Sequence, residues 1–351
     1  MGTSLIDIFD GHNDSVHKIR EYRPGCIDFL EGAAVGHLDL PRARAGGLVG
    51  GFFAMWAAPE QVAKNDLTAA ATSYRVRMAD ALDPAYALRE TRKQLVALQA
   101  LAARSEGQIR IVRSVAEIEA ARRSKALAMV LHIEGADTFG PDLDELAGFH
   151  AAGLRSLGLV WSRPNIFGHG VPFAYPSSPD TGPGLTPLGV DLVRACSRLG
   201  IMIDLSHLNE RGFWDVARLS TAPLVATHTC AHALCPSARN LTDRQLDAIR
   251  DSDGMVGVNM SVPDVRPDGH LDADTPLEML VRHYVYLVER IGIDRVGIGS
   301  DFDGATIPAS IGDASGLPHL IAALREHGFD GAELKKIAYD NWMRVLRLTW
   351  Q

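Results

Sequence analysis

Cysteine is scarce in this chain. Four residues in 351 (Cys26, Cys196, Cys230 and Cys235) fall at irregular spacing. That pattern excludes a disulfide framework and leads us to expect reduced, mostly interior thiols in a cytoplasmic protein. Long apolar runs are also missing. No stretch of about 18 uninterrupted apolar residues exists, so no membrane-spanning helix is expected. The first apolar run begins almost at the N-terminus without a basic-then-apolar leader. Ile6 stands where a myristoylation signal on Gly2 would need Ser or Thr. Positive charge is short as well: 35 Lys and Arg face 43 Asp and Glu, for a net charge of −8. This argues against a nucleic-acid partner and offers no basic patch to a membrane surface. No GxGxxG follows the first apolar run, and no fixed-period repeat, low-complexity tract or flexible linker stands out.

What is present is ordinary globular composition, 46% apolar and 22% charged. Apolar runs alternate with helical patterns. Strands are expected at Leu5–Phe9 (running out into Asp10-Gly11-His12-Asn13-Asp14), Leu48–Trp56, Leu127–Ile133, Leu154–Trp161, Ile201–Leu205, Leu224–Thr227, Met255–Met260 and Val296–Gly299. Helices are expected over Asp66–Arg104 with Pro84 interrupting, Val115–Ser124, Leu143–Ala152, Thr186–Leu199, Glu210–Leu219, Thr242–Ser252 and Thr275–Ile291, with two more from Ser315 and Gly331. Thr242 and Gln245 form a capping-box pattern. Val16–Pro41 reads as an irregular segment over the site, and Ile166–Pro183, rich in Gly, Pro and Ser, as a functional loop. Eight strands, nearly all followed by a helix, predict an α/β fold: a (β/α)8 TIM-type barrel, allowing for distortion, in one domain spanning 1–351. A doubly wound open sheet is the runner-up.

Polar residues fall where these strands end. His12 and Asp14 follow the first, Glu134 ends the third (HIEGAD), His207 the fifth (IMIDLSH), His228 the sixth (PLVATH) and Asp301 the eighth (VGIGSD). On extended backbone His12 and Asp14 point the same way. Each residue alone has a plain explanation: turn chemistry, an interior histidine, a helix cap. In a parallel barrel, however, all strand C-termini share one face, so the six converge. Three histidines and three carboxylates exceed the needs of one zinc. Two metals about 3.5–4 Å apart account for them better. We expect His12 and Asp14 on one metal, His207 and His228 on the other, and Glu134 bridging. Nitrogen and oxygen donors favour zinc, with manganese or iron as alternatives. Asp301 is then free for general acid/base work.

DGHND, HIEGAD, DLSH, the run from His228 through Ser237-Ala238-Arg239-Asn240-Leu241-Thr242-Asp243, and GIGSDFDG resemble the renal or membrane dipeptidase family of zinc peptidases, one of the amidohydrolase-type barrels. The likeness spans almost the whole chain with its motifs in order. It implies two zinc ions held by His12, Asp14, Glu134, His207 and His228, with Glu134 bridging and taking part in catalysis. It also implies that Arg239 binds the substrate's free carboxylate, that Asp301 handles protons, and that the protein is a homodimer acting on dipeptides. One departure stands out. The family places a histidine at the end of the fourth strand to polarise the scissile carbonyl, and here Trp161 stands in Val160-Trp161-Ser162. Trp161 can stack or donate one hydrogen bond but carries no charge. His169, in the following loop, is a candidate replacement. Cys230 and His232 are further candidates for the pocket lining. Trp161 also keeps two rivals open: an N-acyl-amino-acid hydrolase, lactonase or deaminase on the same metals, and a non-catalytic ligand-binding barrel.

Overall fold

The computed structural model of the chain describes residues 5–59 and 73–350. Eight parallel strands carry the architecture: β1 Ile8–Asn13, β2 Leu48–Met55, β3 Leu127–Glu134, β4 Leu154–Gly158, β5 Met202–Asp204, β6 Val225–Thr229, β7 Met255–Asn259 and β8 Val296–Gly299. Each pairs with the next in chain order, and β8 returns to β1. The sheet is therefore a closed barrel, as expected. Closure leaves no free edge, and the helices outside cover the second face of each strand. Buried on both faces, β2 and β3 read as near-continuous apolar runs. A ninth strand, Ile109–Ile111, pairs along the first half of the β3 edge, whose second half pairs with β4.

The barrel's lower end is filled from outside the repeat. Trp342, on the C-terminal helix Asn341–Thr349, is fully buried among Phe9, Phe52, Val130, Met202, Val225 and Met255. Its indole N–H donates to the Ile298 carbonyl at 3.0 Å. The fit explains Gly11, whose added Cβ would stand 2.4 Å from the Thr227 carbonyl oxygen and 2.5 Å from the Trp342 ring. The glycine between Asp10 and His12 thus serves close packing under the site.

Several elements differ from expectation. β1 starts at Ile8, and Leu5 is exposed. The segment read as irregular ends in a helix, Leu40–Gly46, with Asp39 accepting from the Arg42 N–H. Pro84 does not interrupt a helix; it begins one, Pro84–Arg104, behind an Asp83 cap. Of the expected stretch before it, 66–72 lie outside the described residues, and Tyr74–Arg75 form a strand. That strand pairs antiparallel with Ala174–Tyr175 of the long loop. The capping box at Thr242 and Gln245 is formed.

His283, on the helix Leu277–Ile291, ties this frame to the site. Its Nδ1 accepts from the Ala231 N–H at 3.2 Å, and its Nε2–H donates to the Val265 carbonyl at 2.9 Å. Burial pushes its pKa down to about 4. The unfolded chain protonates near 6.5 while the folded chain resists, so stability is full above 6.5 and declines as pH falls through the window to about 4. We expect His283→Leu to flatten that acid limb in urea titrations. It should also destabilise by about 1–3 kcal/mol for each backbone group left unpaired.

Candidate active site and metal centre

The barrel delivers its polar strand ends to one place. His12 lies in β1 with Asp14 just beyond it, Glu134 ends β3, and His228 lies within β6. His207 and Asp301 follow β5 and β8 by a few residues. Glu134 sits at the middle. Its Oε1 is 3.0 Å from His207 Nε2, 3.6 Å from His228 Nε2 and 3.7 Å from His12 Nε2. His12 Nε2 is 3.5 Å from Asp14 Oδ2, and His207 Nε2 faces His228 Nε2 at 3.1 Å. Donor atoms of Glu134, His207 and His228 form one compact set, and those of His12, Asp14 and Asp301 another.

These contacts fit a divalent metal. Ligands at about 2.0–2.1 Å around a tetrahedral zinc lie about 3.3–3.4 Å from one another, close to the spacings here. Neither ring nitrogen of His12 has a hydrogen-bond partner although the residue is fully buried, and Nε2 faces the Asp14 and Glu134 carboxylates at 3.5 and 3.7 Å, where a cation would give its lone pair a partner. Nδ1 of His207 meets Ser162 Oγ at 2.8 Å, and Nδ1 of His228 meets Thr227 Oγ1 at 2.9 Å. With those nitrogens occupied, both Nε2 atoms are left to face Glu134. Burial, then the Arg239 charge for His207 and the His12 charge for His228, drive both imidazoles well below the usual histidine range, so both stay neutral donors. Burial lowers His12 too, but the carboxylates of Glu134 and Asp14 outweigh it and raise it to about 10. Burial and then Asp14 push Glu134 well above the usual carboxylate range.

Above this cluster opens a cavity of about 370 Å³. Asp301 and Arg239 line it with Asp14, Glu134 and His207. Burial and the Asp14 charge raise Asp301 to about 6, and its Oδ2 accepts from Asn259 Nδ2 at 2.9 Å. His207 and Asp301 both hold positive φ, 66° and 60°. Such backbone is uncommon outside glycine and is held by its surroundings at functional sites. Gly304 is required here, because a Cβ on it would stand 2.0 Å from Asp14 Oδ2 and 2.5 Å from Asp301 Oδ1. Arg239 is 5% exposed, and its guanidinium donates to the His228 carbonyl at 3.3 Å; among the described residues it forms no ion pair, although its charge reaches Glu134 and Asp301.

Trp161 forms one wall of the cavity, next to Phe173 and His207 at ring-centroid distances of 5.5 and 5.9 Å. Behind it lie Trp56 at 4.9 Å and the buried guanidinium of Arg163, which is paired with Asp137 at 2.9 Å. His169 does not join the cluster. It lines an adjoining cavity with Arg75, Arg77 and Pro164. The loop instead contributes Phe173 to the site, so His169 is not placed to replace the missing histidine. His232 bonds the Ser177 carbonyl, and Cys230 is buried against the Asn259 carbonyl with its thiol pushed well up by burial. Neither lines the cavity.

The structure adds residues that sequence reasoning passed over: Ser162, Asp204, Thr227, Asn259 and Arg163. An acidic residue inside an apolar strand, as in Met202-Ile203-Asp204, was the available signal for one of them.

Comparisons with known proteins agree with this geometry. The sequence model of the membrane dipeptidase family (peptidase family M19) matches residues 3–351. A metallopeptidase from Rhodobacter sphaeroides, solved with a phosphinate mimic of the dipeptide L-Ala-D-Ala, is 46% identical with a TM-score of 0.95. The match covers 99% of this chain and 100% of that one. A Klebsiella pneumoniae protein encoded in the pqqA 5′ region is 52% identical over 74% of this chain and 96% of its own length. Dipeptidase tcpJ of Claviceps purpurea is 29% identical over 98% of this chain and 77% of its own length. The chain belongs to the membrane dipeptidase family, peptidase family M19, and is a metal-dependent hydrolase of that family.

Proposed function

We propose that this protein is a binuclear zinc dipeptidase. His12 and Asp14 would hold one ion and His207 and His228 the other, with Glu134, whose Oε1 lies 3.0–3.7 Å from all three imidazoles, shared between them. The observation that carries the reading is the buried Arg239 guanidinium, which forms no ion pair among the described residues and lines the same cavity as Glu134, Asp14 and His207. A planar guanidinium beside a cation cluster suits a substrate with a free carboxylate one short span from its hydrolysable bond. A dipeptide has that shape. The 46%-identical Rhodobacter sphaeroides protein, which holds a mimic of L-Ala-D-Ala, supports the same class.

Bound divalent ions supply Lewis-acid charge and bring the pKa of a coordinated water towards about 7. The protein's own groups do the rest. Arg239 binds the substrate carboxylate and fixes the scissile amide over the cluster. Asp301, raised to about 6, receives the attacking water's proton at Oδ1 and returns it to the leaving amine. Asn259 holds Oδ2 and so keeps the other oxygen turned inward. Trp161 and Phe173 shield the reacting carbonyl from bulk water, and the indole N–H is the donor Trp161 can offer it.

Zinc-replete protein should carry about two ions per chain and hydrolyse dipeptides in a mixed L,L and L,D panel. About two ions with no dipeptide turnover would move the substrate to another amide or a lactone, and no bound metal would end the reading. Asp301→Asn should lower kcat on the order of 10²–10⁴-fold with metal content unchanged in elemental analysis. Arg239→Lys should reduce kcat/KM by roughly 10–100-fold. It should leave hydrolysis of a substrate without a free carboxylate unchanged; equal losses on both would remove Arg239 from substrate binding.

A further inference from the structure

Beneath the metal-facing imidazoles lies a buried carboxylate that the mechanism above does not use. Asp204, at the end of β5, is 1% exposed. Its Oδ1 accepts from the backbone N–H of Ser206 at 3.0 Å and of Thr227 at 2.8 Å. Its Oδ2 accepts from the Thr227 hydroxyl at 2.5 Å. His132 Nε2 faces the same oxygen at 3.7 Å without a hydrogen bond, and donor atoms of His12 and His228 lie within 4.8 Å of this carboxylate. A hydroxyl has one proton. Committed to Asp204, Thr227 Oγ1 can only accept from its other two neighbours, Ser206 Oγ at 3.5 Å and His228 Nδ1 at 2.9 Å. The Nδ1 of His228 must then carry the ring proton, and Nε2 presents a lone pair towards Glu134 and His207.

We propose that Asp204 and Thr227 act as positioning residues that set the tautomer of His228 and thereby the affinity of the centre for a divalent metal. The inference rests on the reading of His228 as a metal ligand. Three features support a built device over incidental packing. The carboxylate's remaining oxygen is saturated by two backbone N–H groups, so Asp204 cannot turn away. The Ser206 hydroxyl accepts from the His228 N–H at 3.1 Å, which locks the backbone carrying the ring. The chain of contacts also joins neighbouring strands at the level where they deliver ligands, with Asp204 paired to Val225 in register. Partners of this kind hold a metal-binding imidazole's orientation and basicity, and removing one costs about 10–100-fold in metal affinity.

The test is competition for Zn²⁺ between a chromogenic chelator and the full-length protein, using parent, Thr227→Val, Thr227→Ser and Asp204→Asn. Thr227→Val keeps the shape and removes the hydroxyl; Thr227→Ser restores it. We expect Zn²⁺ affinity to fall by about 10–100-fold in Thr227→Val and Asp204→Asn, and to stay within about threefold of the parent in Thr227→Ser. Equal affinity in Thr227→Val and parent overturns the proposal. A parent that binds no Zn²⁺ overturns instead the assignment of the metal centre. Should Thr227→Val fail to fold, ¹⁵N-edited NMR of the histidine rings in metal-free parent protein decides. A Nδ1–H tautomer at His228 supports the device, and a Nε2–H tautomer overturns it.

Discussion

The arrangement on which the rest depends is the buried Glu134 carboxylate set among three imidazoles at the C-terminal end of a closed barrel. Bringing an ionised carboxylate out of water costs several kcal/mol even after relaxation. Among the described residues only His12, at 3.7 Å, and the Arg239 charge oppose that cost. Two of the imidazoles are driven towards the neutral form by the same burial, and Glu134 itself is pushed towards protonation. A divalent cation reverses each of these trends at once. It would stabilise the ionised carboxylate, take up the neutral imidazole lone pairs and give Nε2 of His12 a partner. Metal uptake at such a site is therefore coupled to proton release, and the folded protein is organised for an ion it must acquire.

The barrel makes this concentration of unfavourable groups tolerable. Its lower half is closed by apolar packing around Phe9, Phe52 and Trp342, which contributes stability far from the chemistry. The strand ends then carry strain and uncompensated charge without loss of the fold. The left-handed backbone of His207 and Asp301 and the tight approach of Gly304 to two carboxylates belong to that upper rim. Sites at the C-terminal face of such barrels exploit this division of labour.

The division also explains what was legible in the sequence. His12, Glu134, His207, His228 and Asp301 were legible because apolar periodicity locates a strand's end, and parallel closure brings all such ends together. Asp204, Thr227 and Asn259 were not legible in the same way, since their meaning lies in register. Thr227 matters because β6 places its hydroxyl beside a carboxylate on β5, and a single threonine in an apolar strand carries no mark of that. The short strands at Tyr74–Arg75 and Ala174–Tyr175 pair across about a hundred residues, beyond the reach of periodicity. Pro84 differs from expectation for another reason, and the helix that Pro41 helps to open was not expected at all. Proline ends helices and also begins them, and the aspartates at 39 and 83, which accept from the first-turn N–H groups, decide which.

Trp161 stands where the family resemblance implies a histidine. An imidazolium at that position would bring a positive charge to a rim that already holds Arg239. Trp161 is neutral, but it is stacked on the buried Arg163, whose guanidinium carbon lies 5.5 Å from the indole centroid and 5.8 Å from that of Trp56. Arg163 is itself held by Asp137 and by the Ala57 carbonyl. The pair leaves little net charge to act at a distance, so what reaches the cavity is mainly a rigid aromatic surface with one polar N–H. A wall of that kind favours orientation and the exclusion of water over electrostatic pull on the carbonyl. Polarising a substrate carbonyl would then rest with the ions that His12, Asp14, Glu134, His207 and His228 would hold, which would place a correspondingly greater demand on the ordering of those five side chains.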